Sequence, residues 1–104
     1  MPITPTVNEA LRRLRLDDDL RQDVVDAIPQ ALAEVETFLD GKLYEDADQR
    51  EAAQDLRGIV CTADIIAAQL LLIDGLVNNN SDEGADLKRS RAYRMLIRHR
   101  NMGA

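Results

Sequence analysis

Apolar residues recur along this chain at the three- and four-residue spacing of helix faces, in four blocks separated by polar corners. In the first block Val7, Ala10, Leu11 and Leu14 fall at i, i+3, i+4 and i+7, which predicts a helix over 6–15. Thr6 and Glu9 form a T-x-x-E capping box at its start. Asp17-Asp18-Asp19 then reads as the start of a second helix, since any of these carboxylates can cap it and all suit the positive end of its dipole. That helix is predicted over 19–40, with Val24, Ile28, Ala31, Val35 and Phe38 stepping as a heptad-like seam. Pro29 lies inside the seam, so a kink or break is expected near Ala27 and Ile28, and Gly41 is the natural left-handed residue after the helix.

The stretch 42–48 is a polar connection in which Leu43 and Tyr44 fold back onto the core. A third helix is predicted over 49–77, with Leu56, Ile59, Val60, Ala63, Ile66, Ala67, Leu70, Ile73 and Val77 as its apolar stripe. From Ile59 onward almost every side is apolar, which places this helix at the centre of the fold. Gly58 and Gly75 are tolerated within it, at a cost of about 1 kcal/mol each relative to Ala. Asp64 and Gln69 either hydrogen-bond across an interface or occupy the one free face, and the free face is the expectation. An Asn-rich break over 78–84 precedes a basic helix over 86–100. The pattern describes one all-α domain over 1–104: a short N-terminal helix, two long antiparallel helices and a basic C-terminal helix.

Composition supports this and narrows the chemistry. With one Phe, two Tyr and no Trp in 104 residues, the core must be built from Leu, Ile, Val and Ala. The net charge of −6 is unevenly spread: residues 1–85 carry 7 Lys and Arg against 18 Asp and Glu, a balance of −11, whereas 86–104 carry 6 against 1, a balance of +5. Such a split points to a basic segment that meets an acidic surface rather than to a general nucleic-acid binder. The run 59–77 approaches membrane-spanning length, but Asp64, Gln69 and Asp74 argue for a buried helix of a water-soluble protein. The start of the chain lacks the basic and apolar regions of a signal peptide. Cys61 lies in an apolar run, reads as a small core residue and fits a cytoplasmic protein.

No catalytic, cofactor-binding or metal-ligating constellation emerges. One Cys and one His cannot supply a zinc site, and Asp17-Asp18-Asp19 lacks the spacing of a calcium loop. His99, in the basic tail, is expected to face solvent or a partner. Arg91, Arg94 and Arg98 fall at i, i+3 and i+7 and form one stripe, suited to an acidic protein surface or to phosphates. A helix-turn-helix would need a tighter turn than the Asn-rich break. Two readings therefore stand beside a structural assembly protein: a small nucleic-acid-binding regulator and a helical protein–protein interaction module.

Over nearly its whole length the chain resembles the head–tail connector (adaptor) proteins of long-tailed bacteriophages and prophages. The resemblance begins at Thr6-Val7-Asn8-Glu9-Ala10-Leu11-Arg12-Arg13-Leu14-Arg15-Leu16-Asp17, a short helix ending in a Leu-Arg-Leu-Asp corner followed by acidic residues. It continues through an Ala-rich helix ending in Asp40-Gly41-Lys42-Leu43, the Ala- and Leu-rich run 59–77, and a closing basic segment around Ala92-Tyr93-Arg94-Met95-Leu96-Ile97. Pro29 and the short connection over 42–48 depart from the family pattern. The resemblance implies a four-helix protomer, monomeric when free, that assembles into a dodecameric ring under the portal in the virion neck. Such a ring extends the channel through which DNA passes without specific binding, and receives the next neck or tail-completion protein. It implies no enzyme activity, no cofactor and no membrane. Arg91, Arg94 and Arg98 are the residues expected to dock on the portal.

Overall fold

The computed structural model describes residues 1–78 and 82–101. Apart from one pair of two-residue strands it is all-α. Helix α1 spans Val7–Arg13, and Thr6 Oγ1 accepts the Glu9 N–H at 3.1 Å, the first half of the expected capping box. The Glu9 carboxylate turns to Arg13 instead, at 3.6 Å. The helix ends early because Arg15 takes a left-handed conformation, φ 55°, which lets the Leu16 N–H reach the Leu11 carbonyl at 2.9 Å and brings Leu16 back onto the core.

The acidic corner forms a 3₁₀ turn, Asp18–Leu20, before α2, Arg21–Leu39. No aspartate side chain caps either element, contrary to expectation: the N-cap residues are Asp17 and Leu20, and neither side chain bonds the helix. Asp18 Oδ1 instead accepts from Arg21 Nε and Nη2 at 3.0 and 2.8 Å. Val24, Ala27, Ala31, Val35 and Leu39 form the buried stripe of α2, with Ile28 and Phe38 at its edges. The helix runs through Pro29 without a break. Pro29 and Val25, whose carbonyl loses its helical partner, are both exposed, so water can take the missing bond. At its end Asp40, not Gly41, adopts the left-handed conformation, φ 56°. Gly41 serves a different need: a Cβ there would lie 2.4 Å from the Arg57 carbonyl oxygen.

The predicted third helix is divided. A short helix α3, Ala47–Ala52, is capped by Asp46, whose Oδ1 accepts the Gln49 N–H at 2.8 Å. Gln54 then turns left-handed, φ 54°, and the chain leaves the helix. Ile59–Val60 form strand β2, paired in parallel with β1, Leu43–Tyr44, in the register Leu43 to Ile59 and Tyr44 to Val60. Gly58 makes this possible, because a Cβ there would lie 2.6 Å from the Tyr44 ring. Leu56, counted as part of the stripe, is fully exposed at the tip of the turn. The helical spacing of residues 56–60 was thus coincidental, and the β-branched Ile59 and Val60 suit a strand.

The central helix is α4, Ala63–Val77, and α5 spans Asp82–Leu96. Most of the predicted loop over 78–84 therefore lies in α5 or outside the described residues, and among the described residues there are five α-helices rather than the expected four. α2 and α4 run in opposite directions, as expected, with Asp23 and Asp26 beside Leu76 and Val77. Between them Val24, Val35, Leu39, Ile65 and Ile73 are fully buried, and α5 closes the core with Ala92 and Leu96. Gln69 is also fully buried, not on a free face: its Nε2 donates to the Ile3 carbonyl at 2.7 Å and fastens the N-terminal segment, in which Pro5 is buried.

Candidate functional site

The stripe expected from Arg91, Arg94 and Arg98 is split by the end of α5. The α-helix stops at Leu96, and the 3₁₀ turn Ile97–His99 turns Arg98 towards the start of α4. There Arg98 Nε and Nη2 donate to Asp64 Oδ2 at 3.2 and 2.6 Å. Arg91 and Arg94 remain exposed, and among the described residues no hydrogen bond or ion pair holds either. Leu87, 55% exposed, precedes them at i−4 and i−7, so Leu87, Arg91 and Arg94 make one outward stripe.

Asp64 is the hub of the chain's C-terminal contacts. Thr62 Oγ1 and Arg98 donate to it, and His99 Nε2 lies 2.8 Å from Oδ2. An ionised carboxylate only accepts, so this contact is a hydrogen bond in the form of the imidazole that carries a proton on Nε2. Burial alone would raise the Asp64 carboxyl, but the hydrogen bonds from Thr62, His99 and Arg98 outweigh it and hold the group well below the usual carboxylate range. His99 is therefore not a free, solvent-facing histidine. The residues that follow complete a clasp. The Arg100 guanidinium lies 5.0 Å from the centre of the Phe38 ring. Asn101 Nδ2 donates to the carbonyls of Asp40 and Arg57 at 2.8 Å each, and the Asn101 N–H donates to Leu39 at 2.9 Å. Arg57 also pairs with Asp40. One short segment thus joins the end of α2, the turn before β2 and the start of α4.

A second knot lies between α2 and α5. Glu34 Oε1 accepts from Arg89 Nε at 2.5 Å and from the Tyr93 hydroxyl at 2.6 Å, and Tyr93 stacks on Phe38 with ring centres 4.3 Å apart. Hydrogen bonding to Glu34 holds the Arg89 guanidinium more firmly protonated, and burial with the same carboxylate pushes the Tyr93 hydroxyl up. Cys61, buried where β2 meets α4, is pushed up to about 11 by burial, so it is a thiol at neutral pH and packs as a small core residue. Among the described residues no group of three or more His, Cys, Asp or Glu could hold a metal ion. No helix among them is long and apolar enough to cross a membrane.

The acidic surface lies elsewhere. Asp23, Asp26, Ala27 and Gln30 of α2 and Leu76 and Val77 of α4 line an open groove of about 200 Å³. Asp23 and Asp26 are exposed and have no ion pair among the described residues, although Asp26 Oδ1 accepts from Gln22 at 3.1 Å. Leu76 beside them is 43% exposed. Sequence reasoning missed Glu34 as a contact residue; for Asp64 it weighed hydrogen bonds across an interface but expected a free face, and for His99 it expected solvent or a partner. A charge inside an apolar run was the available signal for Asp64, because such a charge must find partners. Comparison with family models, with curated proteins and with solved structures brought no match.

Proposed function

We propose that this chain is a structural virion protein, a ring subunit placed between portal and tail that extends the DNA channel and completes the head for tail attachment. The reading rests on the resemblance to the head–tail connector proteins. Its main support in the geometry is a pair of cations, Arg91 and Arg94, one turn apart and exposed on α5, with no ion-pair partner among the described residues. Exposed, unpaired arginines cost nothing to strip of an internal partner when another protein supplies a carboxylate. Arg98, also expected to dock on the portal, is engaged with Asp64, which leaves Arg91 and Arg94 as the members of the expected stripe free for a contact with another chain.

The nucleic-acid reading gains little from the same surface. Arg91 and Arg94 together neutralise about two phosphates, which gives a weak and shallow salt dependence, and the chain's net charge of −6 opposes a polyanion. The deciding experiment is co-sedimentation of the chain with purified portal oligomers encoded in the same gene cluster, followed by imaging of the complex. The expected result is a ring of copies seated on the portal. A chain that ignores the portal and binds duplex DNA at physiological salt overturns the proposal in favour of a regulator. A chain that ignores both leaves a protein–protein module with another partner.

A further inference from the structure

We infer that the outward stripe of α5 docks on the acidic groove of a second copy of this chain, as a head-to-tail contact. The inference deepens the ring reading, on which it rests for its biological setting, by naming the two surfaces that join neighbouring subunits. The stripe offers an exposed leucine, Leu87, with two unpaired arginines, Arg91 and Arg94. The groove offers an exposed leucine, Leu76, with two unpaired aspartates, Asp23 and Asp26. Charge sign and apolar character are therefore complementary, with each surface supplying what the other lacks.

A single chain cannot make this contact with itself. Arg89 is level with Glu34, to which it is bonded, and Glu34 lies about 12 Å along α2 from Asp26. Arg91 and Arg94 lie further on in the same direction, because α5 then runs towards Phe38 through Tyr93 and Arg100. The opposing charges are thus held farther apart than the screening length of about 8 Å at physiological salt. They remain unneutralised within the protomer. Because the two surfaces differ, their pairing is heterologous and leaves one of each free on every dimer, so it propagates into a closed ring or a helical array.

The test uses the native chain with single exposed cysteines, Arg91→Cys in one preparation and Asp26→Cys in another, mixed in equal amounts under mild oxidation. Cys61 is buried and does not compete. Random collision gives heterodimers as half of the disulfide-linked dimers. The expected result is a heterodimer excess of at least fivefold over either homodimer. In the Arg91→Cys/Asp26→Cys double variant the expected product is a ladder of higher multimers, and both signals fall in 1 M salt. Heterodimers at the random proportion, or a salt-insensitive ladder, overturn this contact. Failure of the contact with portal binding intact leaves the ring reading standing on other surfaces. The contact without portal binding removes the adaptor reading and keeps the self-association.

Discussion

Asp64 is a carboxylate in an apolar helix start, stable there because three side chains donate to it. Its depressed folded-state pKa means that it stabilises the fold above the unfolded value of about 3.9, and that this contribution is lost as pH falls towards the folded value. Asp64→Asn is expected to cost about 1–3 kcal/mol at pH 7, since it removes charge-assisted hydrogen bonds and leaves donors underused. Urea melts from pH 2 to 7 should show the variant and parent converging at the acid end; a constant difference across that range would contradict the account. Two glycines give a contrast of opposite sign. Gly41→Ala forces a methyl group against the Arg57 carbonyl and should destabilise by about 1–3 kcal/mol. Gly75→Ala meets nothing closer than Lys88 Cβ at 3.8 Å and should stabilise α4 by about 0.5–1 kcal/mol. Thermal melts of the two variants, read side by side, check both.

At the scale of elements, α2 tolerates an interior proline because the affected turn faces water. Pro29→Ala restores one backbone bond and should raise stability by about 1–3 kcal/mol with no change in oligomeric state; an unchanged melting temperature would mean that the helix gains nothing by regaining the bond. The buried faces of α1, α2 and α4 were legible in the sequence because their apolar residues recur at helical spacing, whereas that of α5, built on Ala92 and Leu96, was not. Val24, Ala31 and Val35 were placed in the core from spacing alone, and the structure buries all three. The turn over 53–58 was not legible, since one left-handed Gln54 and the approach of Gly58 to Tyr44 depend on contacts between distant segments. For the same reason the Arg stripe was read too long. Its spacing was correct for a continuous helix, but the 3₁₀ turn at Ile97 sends Arg98 to Asp64, and only the tertiary fold decides where that turn comes.

On the scale of the whole molecule, the chain separates its charges rather than mixing them. The six Lys and Arg of residues 86–104 are divided between internal ties, as at Lys88 with Asp74 and Arg89 with Glu34, and the free pair Arg91 and Arg94. Internal ties hold α5 on the bundle, while the free pair makes no such tie among the described residues. Charge reversal of both, Arg91→Glu with Arg94→Glu, should leave the circular dichroism spectrum and melting curve unchanged and reduce self-association at least tenfold by sedimentation velocity. Adding Asp23→Arg with Asp26→Arg in the same chain should restore it, since every contact then pairs opposite signs again. Loss of helicity in the first variant would contradict the view that these arginines do no internal work.

The clasp formed by Arg98, His99, Arg100 and Asn101 ties the turn before β2 to the start of α4, and Cys61 is buried in the chain between them. This gives the protein a built-in clock for its own opening. A thiol that is buried and protonated reacts with a soluble disulfide reagent only during excursions that expose it, so its labelling rate reports how often this segment opens. Asp64→Asn should speed that labelling by roughly tenfold or more, because an opening free energy lowered by about 1.4 kcal/mol raises the open population tenfold. Reversal of Arg91 and Arg94 should leave it untouched. Read in this way, the single cysteine separates motions of the fold from events of assembly in one reaction.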